Sequence, residues 1–458
     1  MKHPSHDGAA DNDAYSRKTS NRWVQLIFGI ICMGLVANLQ YAWTLFVSPL
    51  EAKNHWGLSA IQLSFSVFIL VETWLVPVEG WMVDKFGPRP VVALGAVFAA
   101  AGWMIDSRAT TLTELYIAAV IAGIGAGCVY GTCVGNALKW FPDKRGLAAG
   151  LTAAGFGAGA AVTVIPIGNM IQSSGYEQAF MFFGILQGAL ILLLALFMVR
   201  PRPPKGIQAV PRIVTTKVDY PTGKMIRQPL FWLIYGMFVA VAAGGLMATA
   251  QIGPIAKDYG LDKLPVTLFG LTLPLLTMTL SIDNLCNGFT RPLCGFISDR
   301  LGRENTMFVV FLGEGFAMLG LMKYGHDPVA FMTFAALLFL FWGEIFSIFP
   351  AICADTYGVK FAAGNAGTLY TAKGTASLLV PLASVLSVGG NWDRVFIAAA
   401  AITIAAAFCA KFILAPARKR FIENANAEHD GILASRVIVN SQHGMPLDGV
   451  SLASKKAS

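Results

Sequence analysis

Apolar residues in this chain gather into long runs broken by short polar segments. Twelve such stretches occur, near 23 to 46, 60 to 83, 91 to 107, 113 to 138, 146 to 172, 178 to 199, 229 to 256, 265 to 297, 305 to 323, 329 to 353, 362 to 388 and 394 to 415. A helix needs about 20 apolar residues to cross a bilayer. The pattern therefore predicts an all-α membrane protein with twelve transmembrane helices. The first 22 residues are polar, and the apolar run behind them is too long for a signal-peptide core and lacks a cleavage site. That places the tail 1 to 22 inside, and an even number of crossings puts the linker 200 to 228 and the tail 416 to 458 on the same side. Both termini are expected in the cytoplasm, with a bacterial inner membrane as the expected location.

Composition agrees: of 458 residues, 55% are hydrophobic and 13% charged, far from a soluble balance. The net charge of +8 raises the question of a nucleic-acid partner, and its distribution answers it. Of 34 Lys and Arg, the predicted outer loops take only Lys53, Arg108, Lys257, Lys263, Lys323 and Arg394, and nearly all others fall on the inner side. This is the positive-inside bias of a membrane protein; the partner is the lipid bilayer, and no nucleic acid is expected. Two cations, Arg291 and Lys373, fit neither side. The seven cysteines are Cys32, Cys128, Cys133, Cys286, Cys294, Cys353 and Cys409. They lie mostly inside apolar segments without paired metal-site spacing, which makes them packing residues and predicts no metal site or cofactor.

An internal repeat organises the helices. "PVEGWMVDKFGPR" after the second stretch and "PLCGFISDRLGRE" after the eighth align without a gap, pairing Pro77 with Pro292, Gly80 with Gly295, Asp84 with Asp299 and Gly87 with Gly302, each 215 residues apart. The same offset joins Pro166 to Pro381. Residues 23 to 199 and 229 to 415 are thus predicted to form two six-helix bundles in parallel orientation, related by an axis along the membrane normal. The repeated Gly-x-x-x-Asp-Lys/Arg-x-Gly loops resemble the signature of the major facilitator superfamily, and Asp84, Arg89, Asp299 and Arg303 are candidate gating residues. In such a turn an Asp at a helix end can meet a helix terminus and basic side chains. "GIGAGCVYG" at 123 to 131 has the glycines of a dinucleotide fingerprint but no preceding strand. Its glycines, like those of "GLAAGLTAAGFGAGAA", serve close helix packing.

At 1.5 Å per residue, Arg291 lies about 12 Å from the inner-end Asp299 and Lys373 about 19 Å from Lys360, against a half-thickness of about 15 Å. Both sit near the midplane. Ionisable groups there are costly and usually face a cavity that marks a substrate or ion path. Their repeat mates are Val76 and Ala158, so the charges belong to one half only and favour function over architecture. Glu72 and Glu344 are also central and could orient a cation, carry a proton or satisfy a neighbour. An Arg fork matches a carboxylate through two parallel hydrogen bonds, and a Lys adds a movable point charge. Two like charges in an empty low-dielectric site resist closure, so closure conditional on an anion is a recipe for exchange. Gln40, Tyr41, Tyr130, Trp342 and Tyr370 are candidates for the rest of the substrate site.

"NLQYAWTLF", "VDKFGPR", "YGTCVGNALKWFPDKRGLAAGLTAAGFGAG", "NGFTRPLCGFISDRLGRE" and "LYTAKGTASLLVP" resemble, together, the oxalate/formate antiporter family. Arg291 and Lys373 fall where that family carries its substrate-binding cations. The resemblance implies entry of divalent oxalate against monovalent formate, a cycle that carries net negative charge inward. Phe156 and Phe346 depart from what anion binding would use, because neither can donate a hydrogen bond. Glu72 and Glu344, if ionised beside the cations, would lower the net charge from +2, which suits oxalate, toward +1, which suits a monocarboxylate. A proton-coupled monocarboxylate symporter and a non-transporting carboxylate receptor are the competing readings. No nucleophile, metal cluster or phosphate loop stands in a setting that suits an enzyme, and a monomer is expected.

Overall fold

A computed structural model describes residues 21–141, 145–199, 216–268, 270–358, 360–387 and 391–442. The expected tails and linker thus lie partly outside the described residues, as does the side chain of Asp84. Twelve helical rods account for most of the rest. The first half contains α1 (Arg22–Asn54), α2 (Leu58–Trp74 continued by Val76–Phe86), α3 (Pro88–Asp106), α4 (Leu112–Trp140), α5 (Arg145–Ser174) and α6 (Tyr176–Ala195). The second contains α7 (Pro229–Asp258), α8 (Leu275–Leu301), α9 (Arg303–Tyr324), α10 (Pro328–Tyr357), α11 (Ala362–Ser377 continued by Val380–Leu386) and α12 (Asp393–Cys409, then Ala410–Leu414 as a π-helical turn, then Ala415–Gln442).

Among the described residues, 10 helices are long and apolar enough to cross a membrane, and 11 if α2 is counted across its bend of 44°. That bend falls at Leu75, one residue before the segment whose second position is Pro77, where a missing N–H weakens the helix. The remaining rod is α8. Its 27 residues are too polar to pass because Asp283, Asn284, Asn287 and Arg291 are buried along one face, while Leu285, Phe289 and Phe296 are exposed along another. The helix is amphipathic with its polar side turned inward. Exposed Val162, Trp232, Phe316, Val329 and Phe412 continue the apolar exterior, a surface far too extensive for water and suited to lipid.

Two expectations about boundaries are corrected. The eighth apolar stretch does not enter its helix at residue 265: β1 (Pro265–Leu268) and β2 (Leu271–Pro274) form an antiparallel hairpin first. Pro274, with φ of −54° and ψ of 139°, holds extended backbone before the helix begins at Leu275. The last helix does not stop near 415 either; a π-type turn carries it on to Gln442.

The repeated loops adopt repeated geometry. Gly87 and Gly302 both have φ of 89°, a value that side-chain-bearing residues avoid, and each ends one helix and starts the next. We refer to this end of the molecule as the motif end. Here Arg303 Nη1 pairs with Asp299 Oδ1 at 2.7 Å and Arg303 Nε donates to Asp355 Oδ2 of α10 at 3.0 Å. Its side chain is buried, whereas Arg89 in the other half is exposed. The linker's described end docks on the second half, with Thr216 N donating to Asp355 O at 3.1 Å and Tyr220 N to Tyr357 O at 2.8 Å.

The halves meet along two seams, α5 against α8 and α2 against α11. Between the cations and the end opposite the motif they are joined by hydrogen bonds. Gly253 N donates to Thr44 Oγ1 at 2.8 Å, Gln62 Nε2 to Ala250 O at 2.7 Å, and Ser377 Oγ to Ser66 O at 3.0 Å.

Candidate functional site

The helices that carry the predicted charges bring them together in the middle of the molecule. Arg291 and Lys373 are both 0% exposed, although they come from α8 and α11. Each presents its cation to the same two rings. The Arg291 guanidinium carbon lies 4.4 Å from the centre of Phe346 and 5.9 Å from that of Phe156; Lys373 Nζ lies 5.7 and 5.5 Å from them. The two phenylalanines that cannot donate a hydrogen bond thus offer their π faces to the cations. They are the shared walls of one box.

The two cations are held differently. Arg291 donates only to neutral acceptors: Nε and Nη2 to Asn287 Oδ1 at 3.1 and 2.9 Å, Nη2 to Tyr41 OH at 3.1 Å, and Nη1 to the Ala153 carbonyl of α5 at 2.9 Å. These bonds offset part of its desolvation, but none of them comes from an opposite charge. Lys373 Nζ instead donates to Glu72 Oε2 at 3.0 Å, Gln40 Oε1 at 2.8 Å and Tyr370 OH at 3.4 Å. The Lys373–Glu72 pair is buried on both sides; removing one member of such a pair typically costs about 3–5 kcal/mol because the other charge is stranded.

Gln40 and Tyr41 reach the centre because α1 breaks there into the short segment Asn38–Tyr41 between Ala37 and Ala42. Tyr130 of α4 stacks on Tyr370, with centroids 5.3 Å apart and planes 13° from parallel, and meets Phe156 edge-on at 5.1 Å. Trp342 stands one layer back: it packs edge-on against Phe346 at 5.3 Å, against Gly245 on its other side, and makes no contact with either cation among the described interactions. Of the two central acids, Glu72 belongs to the box. Glu344 is fully buried where α10 breaks, near enough to Arg291 and to Glu314 of α9 to feel their charges, and its carboxylate has no hydrogen-bond partner among the described residues.

Sequence reasoning missed Asn287, the residue that orients the Arg291 fork. Two signals pointed to it. It lies four residues before Arg291, the spacing at which helical side chains meet, and it is the repeat mate of Glu72. The Ala153 carbonyl carried no signal, because every residue has one.

The Major Facilitator Superfamily model matches this chain over residues 26–282 and 264–445. The oxalate:formate antiporter of Oxalobacter formigenes is 35% identical over 397 residues, covering 86% of this chain and 92% of that protein. The chain belongs to the oxalate/formate antiporter family of this superfamily. It is also similar to the uncharacterized MFS-type transporter YhjX of Escherichia coli, 25% identical over 78% of this chain and 86% of the relative. A third relative is the MFS-type transporter opdF of Penicillium oxalicum, 24% identical over 74% of this chain and 76% of the relative. As a member of this family, the chain is a multi-pass membrane transporter with the all-α fold of two six-helix bundles.

Proposed function

We propose that this protein exchanges small carboxylates across the membrane, oxalate against formate, by alternating access around the Arg291–Lys373 box. The observation that carries the reading is the pair of fully buried cations on two helices of one half, sharing the faces of Phe156 and Phe346. A planar anion between them would replace protein acceptors, Asn287 or Tyr41 on the Arg291 fork and Glu72, Gln40 or Tyr370 on Lys373 Nζ, since these and Ala153 O hold four of the five guanidinium hydrogens and all three of the ammonium's. Similarity to an oxalate:formate antiporter supports the choice of anions.

Movement follows from how the halves are joined. In this conformation the described hydrogen bonds between the halves beyond the cations run to the end opposite the motif, apart from that of Trp74 Nε1 to Thr371 O, so that end is shut. With both termini and the motif loops cytoplasmic, the carrier is closed toward the outside. Rocking about the two seams would break those bonds and open the other side.

A second reading has one specific observation in its favour. Glu72 on Lys373 lowers the charge of the box to +1, which suits a monocarboxylate entering with a proton.

The test uses purified protein in liposomes loaded with unlabelled oxalate, formate, lactate or nothing, and follows labelled oxalate uptake. Uptake only into oxalate- or formate-loaded vesicles, lost in Arg291→Ala and in Lys373→Ala, is the expected result. No oxalate flux under any loading, with labelled lactate moving down a proton gradient, overturns exchange in favour of the symporter.

A further inference from the structure

The internal repeat extends to the outer faces of the two seam helices that enter the motif loops. On α2, Val78, Trp81 and Lys85 are exposed at steps of three and four residues, the spacing that keeps side chains on one face of a helix. On α8, Leu293, Phe296 and Arg300 are exposed at the same steps. The offset of 215 residues joins Val78 to Leu293, Trp81 to Phe296 and Lys85 to Arg300. Trp74 and its mate Phe289, both exposed, continue each stripe toward the midplane. Each half thus shows the same outward design, three bulky apolar side chains followed by a cation.

The cations are turned back along their own stripes. Lys85 Nζ lies 4.9 Å from the centre of Trp81 and 5.3 Å from that of Phe86, and the Arg300 guanidinium carbon lies 4.0 Å from the centre of Phe296. A ring beneath the cation holds its charge at the edge of the apolar surface. The acid beside Arg300 does not claim it, because Asp299 pairs with Arg303 at 2.7 Å, and Arg300 makes no ion pair among the described residues. From Trp74 or Phe289 to the cation each stripe measures about 16 Å along the helix, against about 15 Å for the hydrocarbon of one leaflet. The charges therefore stand at the headgroups of the leaflet on the motif side. A phospholipid has this shape, an acyl chain one leaflet deep with an anionic phosphate at its end. A soluble anion would meet the cation and leave the stripe unused.

We propose that α2 and α8 carry two equivalent sites for an anionic phospholipid of the motif-side leaflet, one on each half. The phosphate sits on Lys85 or Arg300, and an acyl chain lies along the stripe past Trp81 and Val78 or past Phe296 and Leu293. A net negative headgroup is preferred to a zwitterionic one, whose own ammonium competes with the protein cation for the phosphate. One basic group at an anionic membrane surface corresponds to a preference of about fivefold. Because α2 and α8 form the seams with α11 and α5, a lipid held here borders the joint about which the halves rock. The sites go beyond the exchange reading and do not depend on which anion is carried.

The experiment is native mass spectrometry of the full chain, released from detergent micelles that hold equal amounts of phosphatidylglycerol and phosphatidylcholine. The expected wild-type result is retention of two phosphatidylglycerol molecules, each about fivefold preferred over phosphatidylcholine. Lys85→Gln and Arg300→Gln should each retain one, and the double variant none. Lys419→Gln, which removes an exposed cation of the α12 extension, should still retain two. Excess glycerophosphate, which has the head without the chains, should displace neither lipid. Equal retention of the two lipids by the wild-type chain overturns the proposal whether or not the variants fold. Loss in Lys419→Gln as large as in Lys85→Gln or Arg300→Gln also overturns it, in favour of diffuse attraction by the whole basic surface. Displacement by glycerophosphate overturns it in favour of a soluble phosphate site.

Discussion

The two seams between the halves occupy equivalent places in the repeat and carry their cations in opposite ways. In the α5–α8 seam small residues let the backbones approach along most of their length: a Cβ on Gly157 would come within 2.9 Å of Gly288 Cα, Arg291 Nε and Asn287 Oδ1, and one on Gly150 would meet Pro292 at 3.7 Å. Arg291 is held by its own helix, through Asn287, and by a carbonyl across the seam. In the α2–α11 seam side chains make the bonds, with Trp74 Nε1 donating to Thr371 O at 3.2 Å and Lys373 crossing to Glu72. Glu72 and Asn287 are repeat mates. One duplicated position therefore supplies a charged partner to one cation and a neutral partner to the other. The result is a site with one ion-paired cation and one held by neutral groups, which a symmetric duplication would not produce.

The contrast can be broken most directly at Arg291. Arg291→Lys keeps the charge but loses the fork, and losing one charge-assisted hydrogen bond to substrate predicts an uptake rate about 100-fold lower. Wild-type rates in that variant would mean that the two seams need only a positive charge each. Next in size is the motif end, where Arg303 bridges Asp299 and Asp355. Arg303→Gln strands a largely buried Asp355 and should cost about 3 kcal/mol, read as a lower unfolding temperature in detergent. Within the small-residue seam, Gly288→Val drives a side chain toward Ala158 and the Ala154 carbonyl, and overpacking of this kind costs about 2 kcal/mol. The smallest effect is expected from Trp74→Phe, which removes one cross-seam hydrogen bond worth about 1 kcal/mol. An unfolding temperature that falls more for Trp74→Phe than for Gly288→Val would reverse the assignment of tight packing to α5–α8.

Much of this was legible in the chain itself. The 215-residue offset marked equivalent loops, and Gly87 and Gly302 adopt the same φ of 89°. Arg291 and Lys373 stood out because a charge within an apolar run has few places to go, and Gln40, Tyr41, Tyr130 and Tyr370 converge on the same box. Where the reading fell short, the missing quantity was direction. Depth along a helix follows from counting residues, but depth alone put Glu72 and Glu344 on equal terms. Trp342 was placed by depth too, yet it backs Phe346 rather than facing the cations.

The sequence by itself determined the class, the duplication, the family and the depth of the charges, because bilayer thickness and helical rise convert residue number directly into position. Only the tertiary structure decided which side chains meet across the seams. Those contacts depend on the rotation of each helix about its axis and on breaks such as those at Leu75, Ala42 and Gly343, which packing sets jointly over all twelve rods. The pairing of Glu72 with Lys373, and of Asn287 with Arg291, is that decision expressed as charge.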